Sequence, residues 1–144
     1  MTIKTKQVAD SYQARESDAG NVQGVIGYLV GDQVLAQDDV VQMIKIPLGA
    51  IVMECILETA AMGSNVLGTV GDDLDVDRYI TSTSVAAASL TRRNSVAPLQ
   101  GPGIPYRYVT EQTIDVVLSN ANPTDNMSMR LDVFYICGAE AEIS

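Results

Sequence analysis

The chain contains no histidine and no tryptophan, and it has a single phenylalanine. Without histidine it lacks the commonest general acid–base and the commonest metal-ligating side chain. Every Ser-His or Cys-His nucleophile arrangement is thereby excluded. Aromatic residues make up 5% of the sequence, so the core has to be built from Val, Ile, Leu, Met and Ala. Positive charge is scarce as well: nine Lys and Arg face eighteen Asp and Glu, for a formal net charge of −9. Proteins hold a phosphate backbone through Lys and Arg, so nucleic acid is not an expected partner. An acidic surface favours solubility and contact with a basic protein patch.

Long apolar runs are missing too. No stretch approaches the roughly 18 apolar residues that read as a membrane span. The N-terminal stretch "MTIKTKQVADSYQARESDAGN" has no apolar segment of the secretory kind. The expectation is a soluble chain that starts in a cytoplasm and has no membrane partner. The two cysteines, Cys55 and Cys137, are far apart in sequence and form no metal motif. They read as buried thiols in a reducing compartment, with a disulfide between them left open.

What is present fits one folded domain: 144 residues, of which 47% are apolar. Residues 1–21 are polar and weakly periodic and read as an extended or disordered N-terminal arm, with a marginal helix over 8–17; the alternative is an ordered arm laid on a neighbouring subunit. Residues 22–144 read as a single β-sandwich domain. Here short apolar runs are cut by turn signals. "VQGVIGYLV" (22–30) is a strand with glycines at Gly24 and Gly27, which suggest a bulge or a close backbone approach. "DVVQMIKI" (39–46) and "AIVMECILETA" (50–60) flank a Pro47-Leu48-Gly49 turn and predict a hairpin. In the second of these, Ile51, Met53, Cys55 and Leu57 form a wholly apolar set and predict the buried face, opposite Glu54 and Glu58. "QTIDVVLS" (112–119), the turn "NPTDN" and "MSMRLDVFYIC" (127–137) predict a second hairpin. In it Ile114, Val116 and Leu118, then Met127, Met129, Leu131, Val133 and Tyr135, point inward. Shorter strands are predicted at 66–70, 77–82, 84–90 and 106–110, and "SVAAASL" alone has helical propensity. The expected fold is all-β: an antiparallel β-sandwich, jelly-roll-like, with an extended N-terminal arm.

The acidic stretch "GTVGDDLDVDRYI" (68–80) is the most charged. Tested as a calcium loop on Asp73, Asp75 and Asp77, it places Arg78 where the tight turn needs Gly and Ser84 where a bidentate Glu should close the site. Binding of some other cation by Asp72, Asp73, Asp75 and Asp77 stays open. Neighbouring carboxylates on one loop do not face each other across a cleft as a glycosidase pair must. The structural reading makes Gly71-Asp72-Asp73 a turn, with Leu74 and Val76 anchored inward and the aspartates solvated. Arg78 then pairs with one of them or with a neighbouring subunit. Arg92 and Arg93 read as a local salt-bridge site. "APLQGPGIPYRY" (97–108) holds three of the five prolines and reads as a rigid loop without hydrogen-bonding regularity. Such loops carry contacts. The candidate interface residues are therefore Arg78, Arg92, Arg93, Gly101, Pro102, Ile104, Pro105, Tyr106, Arg107 and Tyr108. No catalytic, cofactor-binding or metal residue is assigned.

Taken in order, "VVQMIKIPLGAIVMECILET", "GTVGDDLDVDRYITSTSV", "YRYVTEQTIDVVLSN" and "MSMRLDVFYI" resemble a family of small virion proteins of tailed bacteriophages, similar to capsid cement or decoration proteins. The resemblance spans residues 22–137. It implies a non-enzymatic β-sandwich, often trimeric, that binds the outside of the head at junctions between major capsid subunits. It therefore implies the major capsid protein and the chain itself as partners, no cofactor, and a place on the virion exterior after assembly in the host cytoplasm. Another virion part, such as a tail, fibre or head–tail connector protein, is the alternative. A calcium- or sugar-binding sandwich module comes after it. The trimeric dUTP-hydrolysing family is disfavoured, because its "G-x-x-D-x-G-Y" loop needs a glycine before the tyrosine and Arg78 stands there.

Overall fold

The computed structural model describes residues 2–5, 22–29, 34–94, 99–101, 104–124 and 128–137. All regular structure among them is β. A five-stranded sheet runs in the order β1 (Thr2–Lys4), β3 (Val40–Ile46), β10 (Gln112–Ser119), β5 (Leu67–Gly71), β6 (Ile80–Ser84). A four-stranded sheet runs β2 (Gln23–Leu29), β11 (Met129–Cys137), β4 (Ala50–Thr59), β7 (Ser89–Arg92). A two-stranded ribbon pairs β8 (Leu99–Gly101) with β9 (Ile104–Pro105). The pairings are antiparallel except for β1, which lies parallel on β3. This is the all-β, jelly-roll-like sandwich that the sequence predicts.

Between the sheets lies an aliphatic core. Val41, Ile44, Ile46, Val70, Ile114, Val116 and Leu118 come from the larger sheet. Val52, Cys55, Leu57, Leu131, Val133 and Tyr135 come from the smaller. Each such aliphatic side chain contributes about 1.5–3 kcal/mol when fully buried. Both cysteines are buried and free, and burial pushes the Cys55 thiol pKa up. Gly27 of β2 sits against the backbone of β3, where a Cβ would collide with the Met43 carbonyl and Ile44. That contact draws the edge of one sheet onto the other.

The connectivity differs from the sequence reading at two places. β3 and β4 are not a hairpin: each belongs to a different sheet, and the Pro47-Leu48-Gly49 turn is a corner between layers. Gly49 takes a φ of 85° there, and its N–H donates to Tyr108 O at 2.7 Å. β10 and β11 likewise lie in different sheets. Alternation specifies which face of a strand is buried, but it does not specify which edge the strand pairs with.

Two bulges shift the inward face. In β4, Phe134 opposes Glu54 and Tyr135 opposes Val52, which leaves Met53 unpaired. Cys55 and Leu57 are buried as predicted, but Val52 replaces Ile51 and Met53 on the inner face, and Met53 is 50% exposed. In β3 the extra residue is Met43, between Ile44 opposite Ile114 and Gln42 opposite Asp115. "SVAAASL" forms bends leading into β7, not a helix, and residues 106–110 carry no strand. The loop read as lacking regular hydrogen bonds contains β8 and β9. Residues 8–17 and Met127 lie outside the described residues.

Candidate functional site: a buried arginine clamp beneath the acidic loop

β5 ends at Gly71, and the chain turns back over it. A Cβ on Gly71 would collide with Asp75 O and the Val76 carbonyl, so only glycine admits the loop at this position. Asp72 then points inward rather than into solvent, and it is 1% exposed. Its Oδ1 accepts the backbone N–H groups of Leu74 and Asp75, both at 3.0 Å. Its Oδ2 accepts Arg78 Nε at 2.7 Å and the Tyr108 hydroxyl at 2.7 Å. Arg78 Nη2 adds a longer bond to Oδ1 at 3.3 Å. Tyr79 and Tyr108 hydroxyls are 2.9 Å apart. Because the Tyr108 proton goes to the carboxylate, Tyr79 is the donor of that pair. Asp72 thus ties together the loop backbone, Arg78 and the segment around Tyr108.

Arg78 is 6% exposed and lies 3.6 Å over the Tyr106 ring. Burial works against its charge, but the hydrogen bond and charge of Asp72 outweigh that and hold its pKa above the ordinary value. Tyr106 meets Tyr108 edge to face at 5.0 Å. Burial pushes the pKa values of Tyr79 and Tyr108 up, so both phenols stay protonated as the hydrogen bonds require. Arg93 extends the cluster, with its guanidinium 5.9 Å from the Tyr79 ring centre. Arg93 Nη1 also donates to Met53 O at 2.9 Å and Val52 O at 3.3 Å, and so caps the β4 bulge.

Of the sequence-predicted interface residues, the structure therefore brings Arg78, Tyr106, Tyr108 and Arg93 into one internal cluster. Arg78 finds its partner in its own loop. Arg107 donates to Gly49 O at 3.1 Å and braces the corner between sheets. Arg92 is the outward one: its side chain is 65% exposed, and it lies 3.8 Å from Glu54. Gly101, Ile104 and Pro105 belong to the β8–β9 ribbon, and Pro102 lies outside the described residues. Two details of the loop reverse expectation. Asp72 is buried, and Leu74 and Val76 face solvent with exposures of 73% and 52%. The Asp72 carboxylate is already taken up by a guanidinium, a phenol and two amides, which fills the place a cation would need. Among the described residues no group of three or more acidic or thiol side chains is arranged to hold a metal ion.

Sequence reasoning missed Asp115. It lies on β10, opposite Gly71 of β5, and is 5% exposed. Burial, then the charges of Asp73 and Asp72, push its pKa from 3.8 up to about 6, against the hydrogen bond donated by Thr113 at 2.7 Å. A shallow polar hollow of about 320 Å³ lies nearby, lined by Gln42, Lys45, Asp73, Glu111, Gln112 and Thr113. A carboxyl whose folded pKa is raised binds more protons folded than unfolded. Its contribution is most favourable below the unfolded pKa and is lost as pH rises towards about 6. Asp115→Asn is therefore expected to stabilise the protein by about 1–3 kcal/mol at pH 8 and by little at pH 4. Urea unfolding at the two pH values checks this, and an equal change at both would refute it.

By sequence, no protein family and no curated protein matches the chain. A chain in the capsid of Ralstonia phage GP4 superposes with a TM-score of 0.80 and 15% identity, covering 96% of this chain and 99% of that one. The fold is shared with phage capsid chains. A chain of the cyanophage Pam1 capsid asymmetric unit matches at TM-score 0.67 and 21% identity, over 87% of this chain and 91% of that one. A chain from the acidic stable capsid structure of Helicobacter pylori bacteriophage KHP30 matches at TM-score 0.56 and 16% identity, over 81% and 88%. In each match the two covered shares are nearly equal, so each phage capsid chain is about as long as this one.

Proposed function

We propose that the chain is a non-enzymatic virion structural protein of the cement or decoration type. It binds the outside of a bacteriophage capsid as a homotrimer and stabilises contacts between major capsid subunits. The observation that carries the reading is the match to a phage capsid chain of similar length, which covers 96% of this chain and 99% of that one. A small sandwich of this size suits an accessory that sits on a shell. Of the N-terminal arm, residues 1–21, Thr2–Lys4 forms β1 on the edge of the five-stranded sheet, with Ile3 in the core.

The clamp gives this reading a physical basis. A buried ion pair, two phenols and a stacked tyrosine hold the loop stiff, and on it Leu74 and Val76 project between Asp73, Asp75 and Asp77. A contact loop fixed in advance loses little freedom on docking. Three copies in one trimer multiply weak contacts through effective concentration. The test is to add purified protein to expanded shells that lack it and to count bound copies per shell by quantitative gel. Saturable binding, with the bound protein open to antibody on the outside, is expected. Leu74→Ser with Val76→Ser is expected to weaken binding about tenfold or more without lowering the melting temperature. Absence of binding by the unaltered protein would overturn the reading.

A further inference from the structure

Eleven large hydrophobic residues are exposed among the described residues, and four of them share one surface: Ile26, Tyr28, Leu90 and Phe134. Strand register shows how they meet. On the outer face of the four-stranded sheet, Tyr28 stands beside Arg130, Arg130 beside Glu58, and Glu58 beside Leu90. In the next row Ile26 stands beside Asp132, Asp132 beside Ile56, and Ile56 beside Arg92. Then Phe134 lies between Gly24 and Glu54, with its ring covering the glycine.

The charges on this face are matched with one another. Arg130 Nη2 donates to Asp132 Oδ2 at 3.0 Å, and Arg130 Nε lies 3.0 Å from Asp132 Oδ1, off the hydrogen-bond line. Arg130 also lies 3.5 Å from Glu58, and Arg92 lies 3.8 Å from Glu54. Two guanidinium groups thus meet three carboxylates, a net of −1 on a chain whose total is −9. The acidic excess lies elsewhere.

We infer that this outer sheet face, centred on Ile26, Tyr28, Leu90 and Phe134, is the surface on which a second copy of the chain docks. Self-repulsion selects the occupant. Copies of a chain at −9 repel one another wherever carboxylates are in large excess, and they approach at least cost where the charges most nearly cancel. A strongly basic or acidic partner would gain nothing from a surface whose ions are paired internally. Three strands of at least seven residues and the four-residue β7, about 4.8 Å apart, present a plane of roughly 400 Å² before side-chain relief, a sizeable part of the ~800 Å² per partner of a stable interface. At one end the face opens into a hollow of about 500 Å³, with Tyr28, Glu58, Ala60, Ala88, Met129 and Arg130 in its wall. Ile26 and Phe134 lie along the same sheet.

The inference rests on the self-association part of the proposed function and is independent of shell binding. It is tested by sedimentation velocity of the protein alone, across micromolar concentrations. The unaltered chain is expected to sediment as an oligomer. Tyr28→Glu with Leu90→Glu places like charges in the contact and is expected to weaken association about 100-fold or more, to monomer. Val109→Glu, an exposed apolar position off this face, is expected to leave the oligomer intact. Circular dichroism confirms that each variant is folded. An unaltered chain that stays monomeric would overturn self-association itself. An oligomer that survives in the folded double variant would overturn the assignment of this face alone.

Discussion

Arg78→Met is expected to destabilise the protein by about 3–5 kcal/mol, because it leaves the Asp72 carboxylate buried without its cation. At this chain length that corresponds to a fall of roughly 10–15 °C in melting temperature. Asp72 accepts from Arg78 at 2.7 Å and is 1% exposed, so water cannot replace the lost partner. Asp72→Leu combined with Arg78→Met removes both charges, and it is expected to recover part of the loss. The recovery stays incomplete, since Tyr108, Leu74 and Asp75 also donate to that carboxylate. Thermal unfolding of the two single variants and the double variant measures the coupling. A shift below about 1 kcal/mol for Arg78→Met would mean that the pair is an ordinary surface bridge.

The second large effect belongs to Gly27. Its Cβ would meet the Met43 carbonyl, which is a backbone group and has no rotamer to yield. Gly27→Ala therefore has to push β2 away from β3, and it is expected to cost about 4 kcal/mol or to prevent folding. Gly68 makes the comparison. Its nearest neighbour would be a Val85 methyl at 3.4 Å, ordinary contact with a side chain, so Gly68→Ala is expected to stay within about 1 kcal/mol of the unaltered chain. Soluble yield and urea midpoints of the two variants separate the cases. Equal behaviour would show that the sheets can part at Gly27 without penalty.

The strands were legible because alternation is written locally. Met129, Leu131, Val133 and Tyr135 point inward as their spacing predicts, and so do Ile114, Val116 and Leu118. Of the two readings for Gly27, a bulge or a close backbone approach, the structure shows the close approach. What alternation does not encode is the choice of edge partner, so Pro47-Leu48-Gly49 reads equally well as a hairpin turn and as a corner between layers. Bulges are invisible for a related reason. Met53 is one more apolar residue in an apolar run, and only the position of β11 shows that it is the extra one.

The loop at 68–80 was the least legible part. Alternating aspartates and aliphatics suggest apolar residues inside and acids outside. The structure buries Asp72 and exposes Leu74 and Val76, because a buried arginine, the Tyr108 phenol and two backbone amides supply what that carboxylate needs. That partnership joins residues 72 and 78 to residue 108 across 36 positions, and no local pattern announces it. The one available signal was the absence of any nearby reason for Tyr106, Arg107 and Tyr108 to alternate in a proline-rich loop.

The central claim is that the chain stabilises a phage shell from outside. Its most direct measurement is the disruption temperature of expanded capsids lacking the protein, recorded with and without saturating additions of it. Binding to the assembled shell and not to dispersed subunits has to raise that temperature by mass action, and the rise has to saturate with occupancy. A saturating increase is the predicted result. An unchanged disruption temperature at full occupancy would contradict the account.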